Sequence, residues 1–415
     1  AQGKDAMVDE RYERGQAVRM RWILTGCLVM GVLLLPGCSK KKPEDLTKVT
    51  KADIAKPTAI ISDEEVQQFA GDLEQALADR DAAAFRRLLH LDGMFYRIFP
   101  KTKVDQHSQL KDAQAGWKRA VETNIFGSLQ SFRVDFLRVV RDADGIKARF
   151  RLAGEGINYW DVLLDRNPAG RVCMVDFLDY LAGEFVTDGQ RRLMQQLMPA
   201  LLSGGGNAAK GDAEMRRLKR ISELSAMIRQ GRHAEFLQEY GRLDADLKQQ
   251  RTLMYMRVMA ANTVAVNGDG AGVYKQAVDA YRRDHPTAVN LELMLIDYYF
   301  LGEKYDEAIK AVEDLSRRVG GDPYLGLLVG NAHYAAGDSA KANEILRKVI
   351  QAYPWEQAAY QTLVVMAAAA EEYETVTELL IAGEKDGGLQ WEIDGAEEFA
   401  GYRDSAEFQK WKNRK

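Results

Sequence analysis

The sequence predicts an α+β domain followed by an all-α region of repeated helical hairpins. Three observations carry this. Between residues 61 and 201, apolar residues first recur at helical spacing and then, after Gly127, at a spacing of two, which places helices before an antiparallel sheet. The stretch from Leu202 to Asp212, with Gly204, Gly205 and Gly206, then interrupts the pattern. Beyond it the same helical positions recur every 34 residues, as Tyr305/Ser339/Tyr373, Ala308/Ala342/Val376 and Val312/Leu346/Leu380. A fixed period of that length without strand-type alternation marks stacked helical hairpins.

The first element is an apolar run of 14 residues, Trp22 to Leu35, preceded by Arg19 and Arg21. It is shorter than the roughly 20 residues that span a bilayer as a helix. It reads as the apolar core of a secretory signal peptide, with a plain buried helix as the alternative. The run ends in Leu35, Pro36, Gly37 and Cys38, followed by Ser39, which resembles a bacterial lipobox. That resemblance implies that residues 20–38 are a lipoprotein signal ending at a lipidated Cys38, which would carry acyl chains such as palmitate. Residues 1–19 then read as an upstream extension with Met20 as the start. Ser39, where an Asp would signal retention, favours the outer membrane facing the periplasm.

Cysteine usage follows from that assignment. Cys27 leaves with the signal, Cys38 carries lipid, and Cys173 is the one thiol left, so no intrachain disulfide is expected. The five histidines, His90, His107, His233, His285 and His333, lack metal-ligand spacing, and there is no CxxC pair. No metal or cofactor is expected.

Residues 39–60 are polar, with Lys40, Lys41 and Lys42 close to the lipid site and no helical or strand period up to about Pro57. They read as a tether holding a folded part off a membrane. The whole chain of 415 residues is 46% hydrophobic and 28% charged with a net charge of −4, which suits a folded, two-domain protein outside the cytoplasm. It gives no global basic field, so nucleic acid is not an expected partner. Between Glu371 and Ala400 ten acidic residues face a single basic one, Lys385. A solvated outer helix face and a patch for a basic partner both fit this run.

Within 61–201, Ser62 followed by Asp63, Glu64 and Glu65 opens a helix that places Val66, Phe69, Leu73 and Leu77 on one face. A second helix starts near Asp81 with Phe85, Leu88 and Leu89 apolar, and a third spans about Gln109–Thr123 with Ala113, Trp117 and Val121. Then Phe132/Val134/Phe136 alternate with Arg133/Asp135, and Ile146/Ala148/Phe150/Leu152 with Lys147/Arg149/Arg151. Asp142 to Gly145 is a hairpin turn signal, and strands at about 157–165 and 171–180 flank a second turn at 167–170. A four-stranded antiparallel meander results.

Helices folded against such a meander resemble the NTF2-like cone fold, over roughly residues 61–185. The resemblance implies a domain that binds a small ligand, transfers protons in a cone-shaped pocket, or serves in protein interaction. Tyr159, Asp161 and Asp176 are the pocket candidates, with His90 and His107 as possible additions. Asp161 shares a strand face with Ile157, Tyr159 and Leu163, so desolvation would raise its pKa towards that of a useful base. Aromatic residues such as Phe95, Tyr96, Phe99, Trp160 and Phe177 are read as core. No nucleophile–base pair or phosphate motif accompanies the carboxylates; the Gly-Lys content of 202–212 lacks the order a phosphate loop needs. A catalytic residue is therefore not assigned, and 202–212 is read as a flexible linker.

The hairpin region, 213–415, is clearest from Asp322 to Trp355, with Gly330 in the first helix, Gly337 and Asp338 at the turn, Ala342 at a small packing position and Pro354 past the end. The preceding copy carries Tyr299, Gly302 to Ile309 and closes at Gly320; one period earlier Tyr274 and Pro286 hold the register. These residues resemble the tetratricopeptide repeat, which implies a solenoid with a concave groove. The groove positions it implies are Asn290, Leu293, Asp297 and Phe300, then Tyr324, Leu327, Asn331 and Tyr334, then Gln361 and Val365. Phe399 to Trp411 reads as a final amphipathic helix closing the array. The expected function is that of a lipid-anchored envelope scaffold or adaptor, non-catalytic, that binds a protein or peptide partner through the groove. A small-ligand or acid–base role for the N-terminal domain is the alternative.

Overall fold

The computed structural model describes residues 50–414 apart from 55, 58, 155, 203–207, 267 and 269. The expected signal peptide, the lipidation site Cys38 and most of the expected tether lie outside these residues. The fold is mixed: one antiparallel sheet within residues 133–185, many helices, and a helical C-terminal region. The described residues up to Leu291 form one compact unit and those from Glu292 another.

The first unit begins earlier than the tether reading expected. Ile54 is buried in the core, the Lys56 ammonium donates to the Ala143 carbonyl at 3.0 Å, and Pro57 lies beside Gly145. An apolar side chain and a fixed ammonium thus attach a segment whose composition alone reads as linker.

Helix α1 (Asp63–Ala78) starts with a complete capping box: Ser62 Oγ accepts from the Glu65 N–H at 3.3 Å and the Glu65 carboxylate accepts from the Ser62 N–H at 3.0 Å. Val66, Phe69 and Leu73 are buried as the spacing predicts, while Leu77 is half-buried. Asp81 caps α2 (Ala82–Arg87) by accepting from the Ala83 and Ala84 N–H groups. Two short helices that the sequence reading did not anticipate follow, α3 (Leu91–Ile98) and α4 (Lys101–Gln106), parted by Pro100. Helix α5 (Ser108–Leu129) buries Ala113, Trp117 and Val121 and outruns its expected end.

Strands β1 (Arg133–Asp142), β2 (Gly145–Ala153), β3 (Ile157–Arg166) and β4 (Val172–Asp179) form the meander, with register Asp142↔Gly145 at the first turn. Gly145 has φ 137°, a conformation L side chains resist, which is why the hairpin turns there. The four-strand expectation is corrected to five: β5 (Glu184–Phe185) adds to the edge of β4, too short to show a period of two. Bulges at Phe136/Arg138 and Leu163/Leu164 shift the register locally.

One sheet face carries Phe150, Trp160, Val162 and Phe177 into a core with Val66, Phe69, Phe95 and Trp117. Trp160 and Phe177 stack with ring centres 4.0 Å apart. Alternation of this kind ordinarily leaves the other face wet. Here Lys147, Arg149 and Arg151 are only 2%, 7% and 2% exposed, so the charged face is also buried.

Helix α6 (Val186–Leu202) and helix α7 (Ala208–Arg229) occupy both ends of the stretch expected to be a flexible linker, so 208–212 is helical. Helices α8 (His233–Gly241), α9 (Ala245–Lys248), α10 (Arg251–Val266) and α11 (Ala271–Asp284) follow, and Leu224, Phe236, Leu253 and Ala260 form a core among them. The chain divides at Leu291/Glu292, and 202–212 falls within the first unit.

From Glu292 on, the second unit contains the rest of α12 (Leu291–Phe300), then α13 (Tyr305–Val319), α14 (Gly326–Ala335), α15 (Ser339–Ala352), α16 (Gln357–Ala369) and α17 (Tyr373–Lys385). Helices α13, α15 and α17 begin at a constant 34-residue step. The register positions Ala308, Ala342, Val376, Val312, Leu346 and Leu380 are all buried, as the period predicts. The turns share one geometry: Glu303, Gly337 and Glu371 have φ 54°, 88° and 59°, and Lys304, Asp338 and Glu372 each donate a backbone bond of 2.9 Å to the carbonyl five residues back. This is a Schellman cap, in which a left-handed residue ends one helix and aims the next.

The final amphipathic helix divides in two. Helices α18 (Ala400–Arg403) and α19 (Ala406–Asn413) meet at Ser405, whose Oγ accepts from the Phe408 N–H at 3.2 Å and caps α19.

Candidate functional site

The pocket candidates Tyr159, Asp161 and Asp176 are all buried. Arg149 and Asp161 stand directly opposite in the β2–β3 register. Arg149 Nε donates to Asp161 Oδ1 at 2.6 Å and its Nη2 to Oδ2 at 2.8 Å, a bidentate pair with both side chains buried. The Tyr180 hydroxyl accepts from Arg149 at 2.9 Å and lies 3.3 Å from Asp161 Oδ2. Burial disfavours the guanidinium charge, but Asp161 and Tyr180 together outweigh it and hold the Arg149 pKa above its usual value. Asp161 is thus an ion-pair partner of Arg149. Tyr159 is fully buried with its ring edge-on to Tyr180, centres 5.9 Å apart.

Asp176, opposite Leu163 in the β3–β4 register, has its own set of partners. Its carboxylate accepts from Arg97 Nε of α3 at 2.9 Å, from the Thr187 hydroxyl at 2.5 Å and from the Thr187 N–H at 3.2 Å. Burial raises its pKa, opposed first by Arg97 and then by the Thr187 bonds. Asp179 is also buried and pushed up, with Asn158 Nδ2 at 3.0 Å and the Leu181 N–H at 2.8 Å as donors. Every acid the sequence nominated thus has its oxygens engaged by neighbours. Arg149, Tyr180, Arg97 and Thr187 are the partners that sequence reasoning missed. The opposed register of Arg149 and Asp161 was recoverable by pairing β2 with β3; Arg97 and Thr187 lie on helices with no such signal.

Of the two histidines, His90 caps α3 by accepting from the Gly93 N–H at 3.4 Å, and burial lowers its pKa. His107 precedes α5 without a side-chain capping bond. Cys173 is buried and forms no disulfide among the described residues, and burial raises its thiol pKa. Among the described residues no group of three His, Cys, Asp or Glu is placed to hold a metal ion, and no helix is long and apolar enough to cross a membrane.

The positions expected to line a groove separate into two sets. Asn290, Leu293, Tyr324, Leu327, Asn331 and Tyr334 are buried. Asn290 belongs to the first unit, where its Nδ2 donates to the Leu181 carbonyl at 2.9 Å and its Oδ1 accepts from the Tyr281 hydroxyl at 3.2 Å. Tyr324 stacks on Trp355, centres 5.6 Å apart, and its hydroxyl bonds Glu356. Asn331 Oδ1 accepts from Thr362 Oγ1 at 3.1 Å, joining α14 to α16. Asp297, Phe300 and Val365 are half-buried, and Gln361 is exposed. Of the ten acidic residues from Glu371 to Glu398, all but Glu384 are exposed; Glu384 pairs with Arg414.

No known protein family, curated protein or solved structure matches this chain.

Proposed function

We propose that this chain is a non-catalytic adaptor of the cell envelope, anchored by lipid at Cys38, whose C-terminal unit is a tetratricopeptide-like array that binds a protein or peptide partner. The observation that carries the reading is the constant 34-residue step of α13, α15 and α17, each entered through the same left-handed turn. Identical hairpins stacked in one direction give an extended surface rather than an enclosed cleft, and such surfaces suit extended segments of partners. The N-terminal unit is read as NTF2-like, in a structural rather than enzymatic role. Ion pairs that satisfy Asp161 and Asp176 support that reading, because a general base needs an accessible lone pair.

Of the implied groove positions, Asp297, Phe300, Val365 and Gln361 keep exposed surface. The acidic run of α17 and the segment after it favours a basic partner. The test is co-purification from intact cells after crosslinking. Native protein is expected to retain one or two stoichiometric envelope proteins, and an Asp297→Ala/Phe300→Ala/Gln361→Ala variant to lose them. Retention of the same proteins by the variant would overturn the reading. Cys38→Ala is expected to move the chain from the membrane to the soluble fraction.

A further inference from the structure

A cavity of about 270 Å³ opens between the segment after α17 and helix α19. Trp391, Phe408 and Trp411 line it together with Glu392, Asp394 and Lys412. Phe408 and Trp411 are buried with ring centres 5.9 Å apart. The indole N–H of Trp391 donates to the Leu380 carbonyl at 2.9 Å, which fixes that ring against α17. Ser405 fixes the start of α19 and with it Phe408. The aromatic walls are therefore preformed.

One cation already belongs to this lining. Lys412 Nζ lies 5.3 Å from the centre of the Phe408 ring and 3.9 Å from Asp394 Oδ1. Its side chain is 57% exposed on a long flexible stem, so it can swing into water. Ring faces attract cations, and the two carboxylates in the lining, Glu392 and Asp394, disfavour anions. The volume is below that of drug-sized pockets, which run from about 300 Å³ upwards, and suits a single short chain.

We propose that this cavity binds an alkylammonium group, either a small organic ammonium or the lysine side chain of a partner, and that Lys412 in its lining is an internal competitor. The assignment holds independently of whether the hairpins bind a partner.

The experiment is calorimetric titration of the full chain with n-butylammonium and, as a neutral control of the same shape, n-butanol. Native protein is expected to bind butylammonium weakly, and Lys412→Ala about tenfold more tightly, because the competitor is gone. Asp394→Asn in the Lys412→Ala background should lose most of that gain. Both altered side chains are exposed, so the fold is not at stake. Equal binding of butanol and butylammonium, or no gain on removing Lys412, overturns the proposal. Nα-acetyl-lysine methylamide binding several-fold tighter than butylammonium would assign the site to a partner's lysine; equal binding would assign it to a free small ammonium. Either result supports the alkylammonium assignment.

Discussion

Gly330 of α14 approaches Leu346 of α15 so closely that a β-carbon at residue 330 would lie 2.7 Å from the leucine Cγ and Cδ2. The close contact explains why a residue that disfavours helix sits inside one: the hairpin is closed by two helices touching where one has no side chain. Alanine there gains about 1 kcal/mol of helix propensity but forces Leu346 aside, and overpacking costs about 1–3 kcal/mol. Gly330→Ala is expected to be destabilising by about 1 kcal/mol in denaturant unfolding. Gly326→Ala, whose β-carbon would meet Val349 at 3.2 Å, should cost less.

The three hairpin turns give a prediction of opposite sign. Glu303 and Glu371 adopt the left-handed conformation that Gly337 adopts at the equivalent place. A residue with a side chain costs about 1–2 kcal/mol there, partly offset by the greater unfolded-state freedom of glycine. Glu303→Gly and Glu371→Gly should each raise stability by up to about 1 kcal/mol, and Gly337→Ala should lower it by a similar amount. Shifts in the urea midpoint at constant slope check this.

The buried pair of Arg149 and Asp161 makes a third prediction. Removing one partner leaves the other charge buried, at a cost of about 3–5 kcal/mol. Asp161→Asn is expected to fall at the lower end of that range, because Tyr180 still bonds Arg149. The double change Arg149→Met/Asp161→Leu should cost clearly less than the sum of Arg149→Met and Asp161→Leu. Additive costs would mean that the two side chains are not a unit.

Asp179 gives a pH dependence. Burial holds its carboxyl above the ordinary 3.8, so the folded chain binds that proton more tightly than the unfolded one. The associated stability is fully present below pH 3.8 and is lost as pH rises through the raised folded value. Asn keeps the Oδ1 acceptor used by Asn158 and the Leu181 N–H without the charge. The stability of Asp179→Asn relative to native should therefore increase between pH 4 and 8, measured by unfolding midpoints. A constant difference across that range would contradict the assigned shift.

How legible the molecule was depended on which residues carried a local signal. The strands could be read because Ile146, Ala148, Phe150 and Leu152 alternate with charged residues; that the charged face is buried could not, because alternation does not show that Lys147 and Arg149 are neutralised by Asp142 and Asp161 of the same meander. Ser62 and Asp81 announced their helices through capping chemistry. Leu91–Ile98 and Lys101–Gln106 went unseen because each is under three turns long and Pro100 divides them. In the C-terminal unit the 34-residue register located the buried faces of α13, α15 and α17. It did not separate groove from core, because Asn331 on α14 and Tyr324 just before it bond to neighbouring elements. Asn290 shows the limit most directly: a polar residue at a nominal groove position is committed to the carbonyl of Leu181, 109 residues away.

The central claim is that the first-helix face of the C-terminal array receives a partner. A photo-crosslinking amino acid placed at Gln361, exposed on α16, and separately at Lys348, exposed on α15, tests it in living cells. The account predicts one discrete adduct with an envelope protein from position 361 and none from position 348. Absence of an adduct at 361, or the same set of adducts from both positions, would contradict it.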